Sequence, residues 1–376
     1  MFYCIFEISE WARIYGIEGS FFKILHIFQH ITFRAMSAAI TAFLFSLLFG
    51  NFVIRRLVAL KFGQPIRTQK EIHKLFELHG VKQGTPTMGG LLPLGATIVA
   101  SLLWARLQNP FVWLAILSTA YLGALGLIDD YLKVTQRSST GISNYLKLGL
   151  QCILAIIVTL FFLLHPQSSI LAQQLYIPFF SEPIISYLGW LSFFVYSLVI
   201  VGASNAVNLT DGLDGLAAGC TATVAASYGI LSYVTGNINV ASYLQVPFVL
   251  YSGELCVLCM ALFGACLGFL WWNCHPARVF MGDTGSLAMG GLLGIIAICC
   301  KQELLLIIVG GIFVMEALSV ILQVISFKLT GKRLMKMSPL HHHFELSGWK
   351  ESTVIVRFWI MSVLFSLLGL FTLTLR

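Results

Sequence analysis

Charged residues are scarce in this chain. Of its 376 residues only 10% are Asp, Glu, Lys or Arg, whereas 58% are hydrophobic. Soluble globular domains carry about 25% charged residues. The mean hydropathy of +0.86 points the same way. This shortage of charge excludes a soluble protein and indicates a polytopic membrane protein.

A recognisable signal peptide and a disulfide framework are also missing. Glu7, Glu10, Glu18 and Lys23 interrupt any apolar core of a leader, and no small-residue cleavage site follows. The nine cysteines fall mostly in apolar runs, where cysteine acts as a small hydrophobic residue. We interpret residues 1–34, which carry several aromatic side chains, as an amphipathic segment at the membrane surface.

Long apolar sequence, by contrast, is abundant. A helix needs about 20 mostly apolar residues to cross the hydrocarbon core. We predict an all-α fold in which residues 35–376 form one domain of ten transmembrane helices. Their predicted bounds are 35–60, 89–106, 111–128, 144–164, 187–206, 213–234, 252–273, 285–300, 303–328 and 353–375.

The basic residues are distributed unevenly between the two ends of these spans. Seventeen of the 23 Lys and Arg residues fall on one side. Because cytoplasmic loops carry the excess of Lys and Arg, we predict that this side is cytoplasmic. With ten spans, both termini would then lie outside.

Aspartate occurs only five times, at positions 129, 130, 211, 214 and 283. All five fall at predicted cytoplasmic helix ends or loops. An aspartate at a helix centre costs about 2.5–3.5 kcal/mol, which explains their absence from the midplane but not from the outer face. We therefore predict an active site at the cytoplasmic face, where a water-soluble and a lipid substrate can meet.

The stretch "GLIDDYLKV" ends the third predicted span with two adjacent carboxylates, Asp129 and Asp130. Two charges about 5 Å apart repel by roughly 3 kcal/mol at an effective dielectric constant near 20. A divalent metal or Lys133 could relieve that repulsion, or one of the two acids could hold its proton. The alternative is an acidic pair solvated at the membrane interface.

In "NAVNLTDGLDGLAAG", Asp211 and Asp214 are three residues apart and would share one face of the sixth helix. Asn208 and Thr210 add neutral hydrogen-bonding groups, and three glycines permit close approach of a ligand. The alternative is that Asp211 merely caps the sixth helix, which is worth about 1 kcal/mol.

Two further loops combine polar residues with glycine. "WWNCHPARVFMGDTGSLAMGG" contains Asp283, which either caps a helix or faces a phosphate or its magnesium ion. Phe280 either fills the membrane interface or stacks on an aromatic base. "KQGTPTMGG" offers Lys82 and Thr87 to phosphate, or else simply starts a helix at its proline.

Three consecutive histidines stand in "PLHHHFE", residues 339–345. Successive helical positions diverge by about 100°, so three neighbouring rings cannot all reach one metal, and zinc sites use separated ligands. The aspartates are hard oxygen donors that suit magnesium, which rarely takes imidazole. We expect the histidines to offer N–H groups and positive charge to phosphate, unless they are only a surface run.

Five stretches, "GTPTMGG", "GLIDDYLK", "NLTDGLDGLA", "FMGDTGSLA" and "PLHHHFE", occur in the order and spacing of the phospho-N-acetylmuramoyl-pentapeptide transferases. The chain resembles this family (translocase I, or MraY, of the polyprenyl-phosphate N-acetylhexosamine-1-phosphate transferase superfamily) from about residue 35 to its end. Residues 1–34 lie outside the resemblance.

The resemblance implies a magnesium-dependent enzyme of the bacterial inner membrane. It would transfer phospho-MurNAc-pentapeptide from UDP-MurNAc-pentapeptide to undecaprenyl phosphate, giving lipid I and UMP for peptidoglycan synthesis. A homodimer is expected from the resemblance, and a nucleic-acid partner is not. We favour direct attack by the lipid phosphate over a covalent aspartyl intermediate.

The resemblance also implies roles for single residues. Asp283 matches the magnesium ligand, and one member of the pair Asp129 and Asp130 would deprotonate the lipid phosphate. Catalytic contacts with substrate phosphates are expected from Lys133, His342 and His343. The expected substrate-binding residues are Lys82, Thr87, Asn208, Asp211, Asp214, Asn273, Phe280, Gln323 and His341, with Phe280 stacking on uracil.

Other functions fit the sequence less well. A transferase that uses UDP-GlcNAc shares the acidic motifs but has a different histidine motif. A secondary transporter would place its site near the membrane midplane, where only Glu316 is a candidate acid. A non-catalytic scaffold leaves the five aspartates unexplained.

Overall fold

The protein is described by a computed structural model that covers residues 1–3, 6–7, 25–60, 84–136, 141–165 and 168–375. Within these ranges the secondary structure is helical. No β-strand forms in this part of the chain, in which Leu175 and Ile185 form an isolated antiparallel bridge. The predicted all-α class is confirmed.

Ten apolar helices coincide with the ten predicted segments. They are α1 (Ile31–Ala59), α2 (Leu91–Trp104), α3 (Pro110–Thr135), α4 (Asn144–Leu164), α5 (Leu191–Thr210), α6 (Leu216–Thr235), α7 (Leu255–Asn273), α8 (Gly282–Cys299), α9 (Gly311–Thr330) and α10 (Glu351–Phe371). Short helical segments lie between or beside them, at His26–Gln29, Ser169–Ala172, Ile238–Tyr243, Ser252–Glu254, Leu305–Val309, Leu340–Glu345 and Thr372–Leu375.

Nine helices in the described ranges are long and apolar enough to span a membrane, and α2 is too short. Its 14 residues extend about 21 Å at 1.5 Å per residue, against a hydrocarbon core of about 30 Å. Nine of the ten predicted spans are therefore supported by length, whereas the crossing of the membrane by the shorter α2 stays a prediction.

The reason for the short α2 is the backbone that precedes it. The Gly89 and Gly90 amides donate to the carbonyls of Phe280 and Met281, both at 2.8 Å, and the Phe280 amide donates to the Pro86 carbonyl at 2.9 Å. A Cβ atom on either glycine would collide with the opposing segment. Irregular backbone inside a membrane protein persists where another segment satisfies its polar groups, as here.

Helix α8 is the most buried of the spans and packs against α3 and α5. Small residues make this possible, because a Cβ atom on Gly290 would meet the Ala203 carbonyl and one on Gly291 would meet the Leu122 side chain. Such close approach through glycine is the usual way in which membrane helices associate. The start of α8 is thereby fixed beside the ends of α3 and α5, and we call this end of the bundle the acidic end.

Little of the predicted surface segment 1–34 can be compared, because residues 8–24 lie outside the described ranges. The Phe2 ring packs against Trp104 at 4.6 Å between ring centroids. Helix α1 begins at Ile31, four residues before the predicted start of the first span. The amphipathic role of the segment and the single-domain organisation stay predictions.

Candidate active site at the acidic end

Three of the five aspartates come together where α8 begins beside the end of α3. Asp129, Asp130 and Asp283 each place a carboxylate oxygen within 4.8 Å of the others. Gly126, one turn before the acidic pair, permits this approach because a Cβ atom there would collide with the Asp283 carbonyl. We call these three residues the aspartate cluster.

Asp130 binds the N-terminus of α8. Its carboxylate accepts hydrogen bonds from the Asp283 amide at 3.2 Å, the Thr284 amide at 3.0 Å and the Thr284 hydroxyl at 2.8 Å. The first amides of a helix have no partner within the helix, and a carboxylate there also offsets the helix dipole. Asp130 is thus a capping residue supplied by another helix.

Asp283 is consequently not occupied in capping its own helix. One of its oxygens accepts from the Asn208 side-chain amide at 2.8 Å. The other lies 2.6 Å from the Lys147 ammonium and 3.1 Å from that of Lys133. The interpretation of Asp283 as a simple N-cap is wrong, because Asp130 provides the cap.

Asp129 is paired with lysine and with backbone. Its Oδ2 lies 2.6 Å from the Lys133 ammonium, four residues along α3, and its Oδ1 accepts from the Ile142 amide at 2.7 Å. Only 2% of Asp129 is exposed and 4% of Asp130. The alternative of a solvated acidic pair is therefore wrong. Lys133 forms ion pairs with Asp129 and Asp283.

The Asp211–Gly215 segment is a turn, which corrects the prediction that Asp211 and Asp214 share a helical face. Helix α5 ends at Thr210 and α6 begins at Leu216. Gly215 has a φ angle of 77°, a left-handed conformation that interrupts the helix and favours glycine. The two carboxylates have different partners as a result. Asp211 accepts from the Gly282 amide at 3.1 Å and so does not cap α6.

Asp211 adds a fourth carboxyl group beside the aspartate cluster. Burial raises the pKa of its carboxyl well above the ordinary value, and the nearby charges of Asp283 and Asp130 raise it further. The Gly282 amide acts in the opposite direction. A site that crowds four carboxyl groups in this way is suited to a polyvalent cation or to cationic partners.

Asp214 belongs to a neighbouring group of side chains. Its Oδ2 lies 3.0 Å from the His275 Nδ1 and accepts from the Ala277 amide at 3.1 Å. Glu351, at the start of α10, accepts from the Asp214 amide at 3.2 Å and lies 3.5 Å from His275. These contacts tie the turn after α5 to the loop that precedes α8.

Thr87, Asn273 and Phe280 all lie in or against the loop before α8. A Cβ atom built on Gly282 would lie 2.9 Å from the Thr87 hydroxyl, so Thr87 borders the aspartate cluster. The Asn273 side-chain amide donates to the Val279 carbonyl at 2.8 Å and closes the loop. Phe280 is half-buried and is held by its backbone pairing with Pro86.

The Gln323 side chain is hydrogen-bonded to a neighbouring loop. Its side-chain oxygen accepts from the Leu334 and Met335 amides at 3.0 and 2.9 Å, and its amide donates to the Met335 carbonyl at 3.1 Å. All three of these bonds join the middle of α9 to the chain that leads to the histidines. The substrate contact expected of Gln323 stays a prediction.

The three histidines lie on the short helix Leu340–Glu345, which we call the histidine helix, and each ring has different surroundings. His341 is fully buried, and its Nδ1 lies 3.2 Å from Glu316. The His342 Nδ1 lies 2.8 Å from Glu345, and the His343 Nδ1 accepts from the Lys336 amide at 3.2 Å. The rings therefore point to different partners, as the helical divergence predicted.

Glu316 of α9 positions the histidine helix. Its carboxylate accepts from the Leu340 amide at 2.8 Å and the His341 amide at 3.2 Å, which are orphan donors of the first turn. The His341 Nε2 in turn lies against Gly212, where a Cβ atom would not fit. The histidine helix is thus packed directly on the turn that carries Asp211.

One predicted site residue is not described by the structure, and three residues that contact the site were not predicted. Lys82 lies outside the described residues, so its role stays a prediction. Lys147, Thr284 and Ser286 were not among the predicted site residues, although Lys147 contacts Asp283 and the Ser286 hydroxyl accepts from Asn208 at 2.9 Å. The sequence signal for Lys147 was a cation near the predicted cytoplasmic end of an apolar span.

Known proteins match this chain over nearly its whole length. Residues 112–301 match the family model "Glycosyl transferase family 4". The phospho-N-acetylmuramoyl-pentapeptide-transferase of Methylacidiphilum infernorum is 54% identical over 358 residues, which cover 95% of this chain and 98% of that protein. Those of Desulfotalea psychrophila and Rhodopseudomonas palustris are 51% and 48% identical, over 93% and 94% of this chain and 96% of each relative.

The chain belongs to the phospho-N-acetylmuramoyl-pentapeptide-transferase family. This membership confirms the resemblance read from the five motifs. All five motifs converge in the structure, because the turn after α5, the loop before α8, the end of α3, the lead-in to α2 and the histidine helix contact one another. In this chain the five motifs therefore lie together at the acidic end of the bundle.

Proposed function

We propose that this protein transfers phospho-MurNAc-pentapeptide from UDP-MurNAc-pentapeptide to undecaprenyl phosphate, which yields lipid I and UMP in peptidoglycan synthesis. The observation that carries the proposal is the aspartate cluster, faced by Lys133 and Lys147 and built from the family's own motifs. The enzyme would act in the bacterial inner membrane and support cell-wall growth, cell shape and division.

The orientation follows from the distribution of charge. The side that carries 17 of the 23 Lys and Arg residues in the sequence is also the side of the five aspartates, so we propose that the acidic end faces the cytoplasm, where UDP-linked precursors occur, and that both termini lie outside. The resemblance also supports a homodimer.

The donor set of the aspartate cluster fits magnesium. Three carboxylates offer hard oxygen atoms within 4.8 Å of one another, and such ligands are what Mg²⁺ prefers. We propose Asp283 as the principal ligand, since Asp130 is engaged by the start of α8. When bound, Mg²⁺ supplies neutralisation of the diphosphate charge. Lys133 and Lys147 add positive charge to the same region.

The residues of the aspartate cluster and their neighbours have different proposed roles. Asp130 holds the start of α8 and so positions Asp283, while Asn208 orients the Asp283 carboxylate. We assign to Asp129 the role of the base that accepts the proton from the lipid phosphate. The deprotonated lipid oxygen attacks the phosphorus attached to the sugar, a new P–O bond forms, and the bond to the UMP oxygen breaks. No covalent bond to an aspartate is needed, because UMP is already a good leaving group.

Binding of the UDP-sugar would use the surrounding elements. Asp211, Asp214 and Asn273 border the loop that carries Phe280, and we propose that this loop receives the uridine, with Phe280 stacked on uracil. His342 and His343 would contact the diphosphate. His341 lies fully buried between Glu316 and Gly212, so its contribution would be to hold the histidine helix in place.

The test is a UMP-release assay on purified protein with undecaprenyl phosphate and magnesium. We expect UMP and lipid I with UDP-MurNAc-pentapeptide and none without magnesium. Release only with UDP-GlcNAc would identify the alternative transferase and refute the proposal. The variant Asp283→Asn should abolish turnover at ordinary magnesium concentrations, whereas full activity would contradict the assignment of Asp283.

A further inference from the structure

Helix α2 runs from the acidic end of the bundle to the opposite end, which we call the far end. Its last residue, Trp104, lies there beside Arg34 of α1 and Glu254, which directly precedes α7. Arg34 and Glu254 form a bidentate ion pair, in which both nitrogen–oxygen distances are 2.6 Å. Only 1% of Arg34 and 8% of Glu254 is exposed. Such a buried pair is a poor source of net stability, because both charges lose their hydration, so a role in fixing the segments that it joins is more in keeping with its cost.

The ion pair binds the backbone where α2 ends. The Arg34 guanidinium donates to the Trp104 carbonyl at 3.2 Å, and the Glu254 carboxylate accepts from the Arg106 amide at 3.0 Å. The last carbonyls of a helix have no partner within the helix, and Arg34 supplies one from another helix. The Trp104 indole also donates to the Thr41 hydroxyl of α1 at 2.9 Å. The far end of α2 is thus bound to α1 and to the segment that begins α7.

The other end of α2 is bound to the loop for which we propose uridine binding. The Gly89 and Gly90 amides, directly before α2, donate to the Phe280 and Met281 carbonyls. A Cβ atom on Gly90 would collide with the backbone of Gly285, so the two segments are in direct contact. The 14 residues of α2 form a rigid rod of about 21 Å. A shift of α2 along its axis at the far end therefore moves its other end relative to the uridine loop.

We propose that Arg34 and Glu254 are positioning residues for the transfer reaction. By holding the far end of α2, the pair sets the depth of Gly89 and Gly90 in the bundle. These two amides in turn hold the backbone of Phe280. The ion pair thus acts on the site from the opposite end of the protein, through one short helix that is bound at both ends.

The effect of the pair should fall on nucleotide binding more than on the chemical step. The start of α8, which carries Asp283, is held by three hydrogen bonds to Asp130 that do not involve α2. Phe280, by contrast, pairs through its backbone with the segment that leads into α2. A displaced α2 should therefore raise the KM for the UDP-sugar and change kcat little. This inference rests on the proposed function, which supplies the identity of that substrate.

The first experiment removes both charges together. Arg34→Met combined with Glu254→Leu keeps apolar volume at both positions, and such a replacement of a buried ion pair is often neutral for stability. We expect its unfolding midpoint to stay within about 3 °C of the wild type. Its KM for UDP-MurNAc-pentapeptide should rise at least about fivefold, the lower end of typical couplings between distant sites, with kcat within about twofold. Arg34→Met alone should unfold at a lower temperature than the double variant, because Glu254 is then buried without its partner.

Arg106→Gln is the matched control. The guanidinium carbons of Arg34 and Arg106 lie 5.0 and 5.1 Å from the centre of the Tyr3 ring. Arg106 is exposed, and it contacts Glu254 through its backbone amide, which the substitution leaves in place. We expect unchanged KM and kcat. A rise in KM equal to that of the double variant would show that loss of any positive charge at the far end is sufficient, and would overturn the inference.

Amide hydrogen exchange in nanodiscs gives a readout that does not depend on activity. In the double variant the peptide that contains Gly89 and Gly90 should exchange at least about tenfold faster, and the start of α8 should not change. Unchanged exchange at the two glycines, or an equal increase in α8, would overturn the inference, as would an unchanged KM for the UDP-sugar. A wild type that releases no UMP from UDP-MurNAc-pentapeptide would instead refute the proposed function, and the exchange rates would still decide whether the ion pair holds Gly89 and Gly90.

Discussion

Removal of the Asp130 charge should weaken the attachment of α8 to α3. Asp130 accepts three hydrogen bonds from the first residues of α8. Its carboxylate satisfies the two amides at the start of the helix and offsets the helix dipole. Loss of an N-cap costs about 1 kcal/mol, and hydrogen bonds to a charged acceptor contribute about 1.5–3 kcal/mol each. In Asp130→Asn one oxygen remains to accept, so we expect a loss of about 2 kcal/mol.

The loss can be measured as a shift in the thermal unfolding midpoint of the purified protein. With an unfolding entropy of about 2.1 cal/mol/K per residue, as in soluble proteins, about 2 kcal/mol corresponds to a fall of about 2–3 °C. Activity should fall with it, because Asp283 begins the same helix. Thr284→Ala, which removes one of the three donors, should produce a smaller fall.

A comparison with Asp129→Asn tests the division of roles. We expect that variant to lose activity without a comparable loss of stability, since the Ile142 amide can still donate to the remaining side-chain oxygen. A combination of Asp130→Asn with Thr284→Ala should be less than additive, because the two residues contact each other. An unchanged midpoint for Asp130→Asn would refute the capping argument.

Four further outcomes are expected. Lys147→Gln should lower kcat about 100-fold in the UMP assay, since a cation that faces Asp283 is lost, and Lys147→Arg should restore part of the rate. Glu316→Gln should lower kcat and the unfolding midpoint together, because the first turn of the histidine helix loses its carboxylate acceptor; an unchanged kcat would contradict that coupling. Asp211→Asn should bind the UDP-sugar more weakly and yet unfold at a higher temperature at pH 8. Because the pKa of the Asp211 carboxyl is raised in the folded protein, the free energy of unfolding of the wild type falls as the pH rises from about 4 through that pKa. The stability gained by Asp211→Asn should therefore grow over that range and vanish at lower pH. Incubation with the UDP-sugar alone should give no phospho-aspartyl adduct by mass spectrometry; its detection would establish a covalent route.

The sequence contained enough to predict the helices and the end of the bundle at which the acids lie. Apolar length is a local property, and each of the ten predicted segments became a helix. The placement of aspartate at span ends is also local, because the cost of charge in lipid acts on each residue separately.

The contacts of the site were beyond prediction because they join distant segments. Asp130 caps α8 only because α8 packs on α3 through Gly126, and no pattern near either residue specifies that pairing. The same is true of Glu316, which looked like an isolated acid within a span. The separation of Asp211 from Asp214 depended on one left-handed glycine, which periodicity alone could not distinguish from a helix start.

The pairing of the Pro86–Gly90 segment with the chain before α8 has a consequence for the order in which the molecule is assembled. As ribosomes release the chain from its N-terminus, α2 is made long before Phe280 and Met281 exist to accept from the Gly89 and Gly90 amides. Until then the Gly89 and Gly90 amides lack these acceptors, which is costly for backbone inside a membrane. We infer that α2 settles late during biosynthesis, and that its final depth is fixed only when α8 arrives beside it.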